Sequence, residues 1–187
     1  ISKNICDKNN DSNENKFNVN FEGGTKEQRY IMNEGLINFN KRFPDIVKIL
    51  DKNMNIKFVD KHGEDIDFYM KVFYPNIYVN KNKQIYNHQI QHELAHAYVN
   101  ETQIGYDEFN KFRNKLYPDN TSYSVNEYYA YALEGLVYKL DNNKTNFNKD
   151  ELWIAKEHNI NVNSKLREYI TSEISKESSN KMEYHPL

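Results

Sequence analysis

Two histidines four residues apart, with a glutamate directly after the first, make His92-Glu93-Leu94-Ala95-His96 an H-E-x-x-H pattern. On a helix, residues four apart lie one above the other at roughly 6 Å, so both imidazoles can grip one zinc ion with bonds of about 2 Å. Glu93 lies about 100° round the helix from His92, off the ligand direction but within reach of a water beside the metal. That is the place of a general base. The pattern falls on a stretch with an apolar back face, downstream of strand-like segments, whereas a chance match falls as readily in a tail. The plain alternative is two surface histidines on a structural helix.

A catalytic zinc held by two helix histidines takes a third protein ligand from another element and keeps one position for water. No later histidine has a suitable partner motif, which leaves the carboxylates. Glu101 follows the helix too closely to turn back, and Glu108 lies in a polar segment. Glu127 and Glu134 remain, seven residues apart and nearly on one face of a buried-looking helix, where an ionised carboxylate needs a metal or a charge partner. Glu127, in the first turn beside a loop, is favoured as the ligand. Glu134, two turns deeper, is the second choice, or else a residue behind the ligands. His88 shares the stripe of His92 but stands eight residues from His96, about 12 Å along the axis and too far to share one ion. It is placed at the cleft rim or in plain solvent. His62, His158 and His185 receive no function.

The elements that must position these groups follow from periodicity. Thr25 caps a helix whose buried face is Tyr30, Ile31, Gly35, Leu36 and Phe39, ending near Phe43-Pro44. A short helix, Asp45 to Lys52, carries Ile46, Ile49 and Leu50, and Asn53-Met54-Asn55 reads as a turn. Strands are expected at Ile56 to Asp60, Ile66 to Tyr74 and Ile77 to Val79, with a His62-Gly63 turn between the first two. The stripe Tyr86, Ile90, Leu94, Ala97 and Tyr98 predicts the motif helix over Lys83 to Asn100. Further helices are expected at Asp107 to Leu116, Ser124 to Leu140, Lys149 to Lys156 and Asn163 to Lys176. The order is that of an α+β domain: N-terminal helices, a small sheet, the motif helix, then a helical C-terminal part.

The chain has 187 residues, which suits one domain and leaves little room for two cores. Residues 1–24, dominated by Asn, Asp, Lys and Ser, read as a flexible polar tail, 25–176 as the single domain and 177–187 as a frayed end. Within the domain, 25–100 holds the motif helix and 101–176 the third ligand. With 25 Lys and Arg against 27 Asp and Glu, the formal charge is −2, and no global field gathers nucleic acid or anionic lipid. No apolar run approaches the roughly 18 residues of a membrane span, so the chain is expected to be soluble. The single cysteine, Cys6, excludes a disulfide framework and a zinc site of several thiolates, and it receives no role.

His92-Glu93-Leu94-Ala95-His96 followed by Glu127-Tyr128-Tyr129-Ala130 resembles the anthrax lethal factor catalytic domain and the related secreted clostridial Pro-Pro endopeptidases. That group pairs H-E-x-x-H with a downstream zinc glutamate opening a Glu-aromatic-aromatic-Ala run. The order of elements upstream, through Asn55-Ile56-Lys57-Phe58-Val59-Asp60, is similar as well, and the likeness spans 25–175. It implies a zincin-like α+β fold with a small mixed sheet, Glu127 as zinc ligand and Glu93 as catalytic base. The group also places a tyrosine hydroxyl over the metal, seven residues before the zinc glutamate. Here Asn120 holds that position, and Tyr123, four before Glu127, is the nearest substitute; otherwise it packs against the helix start.

The expected function is that of a zinc-dependent endopeptidase of the gluzincin type, cutting a protein or peptide substrate. A secreted protease or toxin-like effector is favoured, because the chain begins at Ile1 rather than Met, lacks disulfides as the resembling secreted enzymes do, and has no nucleic-acid charge signature. A monomer is expected. The strand nearest the motif helix, taken as Ile77 to Asn80, is expected to pair with an extended substrate. Two rivals stand beside this reading. One is an intracellular zinc peptidase that cuts a repressor-like protein. The other is a non-catalytic zinc-stabilised binding domain, which has no use for an uncoordinated base at Glu93.

Overall fold

A computed structural model describes residues 14–162 of the chain. Cys6, His185, the helix expected at Asn163 to Lys176 and the end 177–187 lie outside the described residues. The architecture is mixed α+β, with strands β1 (Asn18–Glu22), β2 (Asn53–Val59), β3 (Met70–Phe73) and β4 (Asn76–Asn80) and helices α1 (Lys26–Arg42), α2 (Pro44–Ile49), α3 (Gln89–Glu101), α4 (Gln103–Leu116), α5 (Ser124–Asp141) and α6 (Lys149–Glu157). The sheet runs β1-β2-β4-β3. The pairings of β1 with β2 and β2 with β4 are parallel, and β3 joins β4 antiparallel at the edge.

The reading of 1–24 as tail is corrected at β1. Val19 and Phe21 alternate with Asn18, Asn20 and Glu22, the apolar pair packs against the core, and Phe17 is buried. The asparagines that suggested a tail carry out a sheet function. Asn18 donates to Asn53 and Asn20 to Asn55 at 3.3 Å, and Asn55 donates to Asn76 at 3.1 Å, a ladder along the outer face. The same ladder explains why Asn53-Met54-Asn55, expected as a turn, begins β2: Met54 faces inward while its neighbours pair outside. Met54, Ile56, Phe58, Ile77 and Val79 turn their side chains into the core, towards the helical side of the sheet.

α1 opens on a capping box. Thr25 Oγ1 accepts from the Gln28 amide at 3.1 Å, and the Gln28 side chain accepts from the Thr25 amide at 2.9 Å. Its buried face is Met32, Gly35, Leu36 and Phe39, while Tyr30 turns outward. Gly35 lets α1 meet the start of α3, since a Cβ there would lie 2.2 Å from the Asn87 carbonyl oxygen. Pro44 stops α1 and opens α2, where Val47 rather than Ile49 completes the buried side.

The motif helix starts at Gln89, six residues later than Lys83. Asn80 takes the Asn82 amide at 3.0 Å and donates to the Ile66 carbonyl at 2.9 Å, and Gln89 takes the Tyr86 amide at 2.8 Å, so side chains hold 80–88 in turns. β3 is correspondingly shorter than Ile66 to Tyr74, because Asp65 caps the Asp67 amide and keeps that stretch a loop. α4 starts at Gln103, ahead of Asp107, because Thr102 Oγ1 accepts from the Gly105 amide at 2.9 Å. α3 packs on α1, α4 and α5, and α6 covers α5. Phe112 sits among Tyr117, Tyr129 and Trp153 in the core of this helical half.

His158, which received no role from sequence, ties this half to α2. Its Nδ1 meets Asp45 at 2.6 Å and its Nε2 meets Glu108 at 2.9 Å, with Tyr129 also bonded to Glu108. Burial alone would lower the imidazole, but the two carboxylates overcome it and push it up to about 9. A group raised from its ordinary value near 6.5 stabilises the fold fully below that pH and loses the contribution as the pH climbs through about 9. With Asp45 half exposed and screened, roughly 2–3 kcal/mol is at stake. Thermal unfolding at pH 6 and pH 9.5 is expected to show this loss in the wild type and none of it in His158→Gln; equal pH responses would remove the ion pair from the account.

Candidate metal centre

α3 and α5 lie against each other and bring the sequence-nominated ligands together. His92 Nε2 and His96 Nε2 are 3.2 Å apart, Glu127 Oε2 is 3.2 Å from the first and Glu127 Oε1 is 3.1 Å from the second. These three residues form the metal-competent cluster found among the described residues. The spacing suits a zinc ion: bonds of about 2.0–2.1 Å at tetrahedral angles set ligand atoms about 3.3 Å apart.

The far sides of the two rings decide what the near sides can do. His96 Nδ1 is 2.7 Å from Asn126 Oδ1, and His92 Nδ1 is 3.1 Å from Glu134 Oε2. Both partners are acceptors, so each Nδ1 carries the proton and each neutral ring turns the Nε2 lone pair towards Glu127. With both rings neutral, two ring nitrogens and the two Glu127 carboxylate oxygens face one another with no proton between them, an arrangement that a cation relieves. Without a metal, a proton on His92 takes up part of that load. Burial lowers this imidazole, yet Glu134, Glu93 and Glu127 together hold it above its ordinary range. His96 is held below its range by burial and by the neighbouring His92 charge.

The site opens into a cleft of about 490 Å³ between the β3 side of the sheet and α5. Glu93 lines it beside the histidines. Burial raises its carboxyl, the His92 charge opposes, and the negative fields of Glu127 and Glu134 add, leaving it at about 7 in the metal-free protein. Tyr123 is on the cleft wall at the start of α5, 73% exposed and thus not packed against the helix. Glu134 sits behind His92 and is not brought among the Nε2 atoms. Burial pushes its carboxyl up, but hydrogen bonds with His88 and His92 outweigh this and hold it below its usual range. His88 is not free at the rim: its Nδ1 meets Glu134 Oε1 at 2.7 Å.

Sequence reasoning missed Asn126 and Tyr131. Asn126 directly precedes Glu127, and that adjacency was the one signal the sequence offered; its burial against His96 appears only in the fold. Tyr131, one turn after Glu127, lays its ring 4.5 Å from that of His92 and lines the cleft. The strand expected to meet substrate is also corrected. Ile77 to Asn80 lies inside the sheet between β2 and β3, with its backbone groups taken on both sides, whereas β3 is the edge strand and lines the cleft. No helix of the described residues is long and apolar enough to cross a membrane. Comparison with protein-family models, with curated proteins and with solved structures finds no match for this chain.

Proposed function

We propose that the protein is a zinc-dependent endopeptidase of zincin-like fold, with His92, His96 and Glu127 as metal ligands. The observation that carries this is the convergence of His92 Nε2, His96 Nε2 and the two Glu127 carboxylate oxygens at 3.1–3.2 Å, with both imidazoles held from behind by Glu134 and Asn126 so that their Nε2 lone pairs face the carboxylate. Bound there, zinc supplies Lewis acidity, polarising a carbonyl and lowering the pKa of water towards 7.

The chain's own groups do the rest. Glu93, which lines the cleft beside the histidines, takes a proton from the attacking water and returns it to the leaving amine. Among the described residues β3 is an edge strand, so its outer backbone groups face the cleft where an extended substrate could pair, and Tyr69 and Phe73 add exposed aromatic surface there. Asn126 and Glu134 hold the two imidazoles in the tautomer that metal binding needs. This division of labour agrees with the resemblance to the lethal factor and Pro-Pro endopeptidase group, as does the proposal of a secreted or toxin-like enzyme.

A phenol facing the developing oxyanion is worth about 10²–10³-fold in kcat. Tyr123→Phe is expected to lower kcat on that scale with KM little changed, and Tyr131→Phe, whose ring covers His92, by less than about tenfold. The reverse order would transfer the donor role to Tyr131. The activity itself is tested by a peptide-library digest with zinc-loaded protein, chelated protein and chelated protein given zinc again. Internal cleavage in the first and third alone is expected; no cleavage in any of them, or cleavage indifferent to the chelator, would contradict the proposal.

A further inference from the structure

His88 precedes α3 and carries no ligand atom, yet it is built into the metal site. Its Nδ1 lies 2.7 Å from Glu134 Oε1, and the other oxygen of that carboxylate lies 3.1 Å from His92 Nδ1. One carboxylate thus bridges two imidazoles, one of which turns its Nε2 into the ligand triangle. The His88 ring is fixed on its own account. It stacks on Tyr86 with centroids 5.7 Å apart and 15° between planes, and meets Tyr138 edge-on at 5.3 Å. Glu134 is largely buried, with 15% of its side chain exposed, so little water is at hand to replace the His88 bond.

We propose that His88 is a positioning residue for metal binding: by holding Glu134 Oε1 it points Oε2 at His92 Nδ1 and so fixes the ligand ring. This rests on reading His92, His96 and Glu127 as a zinc site. The physical reason is geometric. A carboxylate turns about its Cγ–Cδ bond, and a single hydrogen bond to His92 leaves that rotation and the choice of oxygen open. Two bonds on two oxygens remove both freedoms, so the imidazole waits in its binding tautomer and orientation. Aromatic packing by Tyr86 and Tyr138 extends the same constraint to the outermost link.

The test measures zinc dissociation constants by competition with a chelator of known affinity. Glu134→Gln is expected to weaken zinc by about 10–100-fold. His88→Phe, which keeps a ring between the two tyrosines but removes the donor, is expected to weaken it by roughly tenfold. His88→Asn, whose amide can place a donor close to that of Nδ1, is expected to recover most of the loss. Because His88 acts through Glu134, the double variant His88→Phe/Glu134→Gln should bind zinc no more weakly than Glu134→Gln alone. In zinc-saturated enzyme, KM should be the same for wild type and His88→Phe, since the residue touches no substrate. Wild-type affinity in His88→Phe, or losses that multiply in the double variant, would overturn the role of His88 while leaving the zinc site standing. If His88→Phe does not fold, the same comparison is made with His88→Leu and His88→Asn, where equal affinity in the two overturns the proposal. Absence of zinc uptake by the wild type would instead overturn the site, and the role of His88 with it.

Discussion

Glu93→Gln is expected to keep zinc bound, to lower peptide cleavage by roughly 10²–10⁴-fold, and to make the metal-free protein more stable at alkaline pH. The three effects have one cause. Burial chiefly, against the opposing His92 charge and with the fields of Glu127 and Glu134 added, lifts the Glu93 carboxyl to about 7. A carboxyl raised in the fold favours the folded state below its ordinary value near 4.5 and loses that advantage as the pH rises through 7, because the folded chain must then carry an unfavourable charge. The displacement from 4.5 to about 7 corresponds to about 3 kcal/mol at pH 8, an amide having no such charge to carry. Zinc binding, cleavage assays and thermal melts of the apo variant at pH 5 and pH 8 check this. A variant that cleaves like the wild type would remove Glu93 from the base position, and one no more stable at pH 8 would remove the buried-charge explanation.

Zinc is expected to be the largest single contributor to the melting temperature. Free zinc at a thousand times its dissociation constant stabilises a native-only site by about 4 kcal/mol. For a chain of this size, each kcal/mol is worth roughly 2–4 °C, so a rise of about 8–16 °C is expected on loading. His96→Ala and Glu127→Ala should each abolish the rise, because each removes one of the three residues that converge at 3.1–3.2 Å. Glu134→Gln should only shift it to higher zinc concentration, since Glu134 touches the ligand ring from behind. Melting curves at a series of buffered zinc concentrations separate the two outcomes. They also settle the choice between Glu127 and Glu134 as third ligand: loss of the rise in Glu134→Ala with its retention in Glu127→Ala would reverse the assignment.

The legible part of this molecule was the part with strong period. H-E-x-x-H needs only the helix to place both imidazoles, and the helix is announced by Ile90, Leu94, Ala97 and Tyr98, so His92 and His96 were readable without knowledge of the sheet. A carboxylate inside an apolar helix demands a partner, which left Glu127 and Glu134 both open; the first-turn position beside a loop favoured Glu127, the one grouped with His92 and His96. What escaped depends on distant pairing. Asparagine side chains disguised β1 and the start of β2, since the same residue that favours turns also forms a ladder across a sheet face. The position of β3 outside β4 follows from strand order, which no local pattern contains. His88 and His158 each meet their carboxylates across 46 and 113 residues of chain, so neither partner could be foreseen from neighbours.

The central claim is that a single divalent ion belongs between α3 and α5 with a position left for water. A crystal structure of zinc-loaded protein, with the metal located by anomalous scattering at the zinc edge, measures this directly. The expected result is one zinc per chain bonded to His92 Nε2, His96 Nε2 and Glu127, with Glu93 facing the remaining position. A fully loaded protein with the ion elsewhere, or with a fourth protein ligand closing that position, would contradict it.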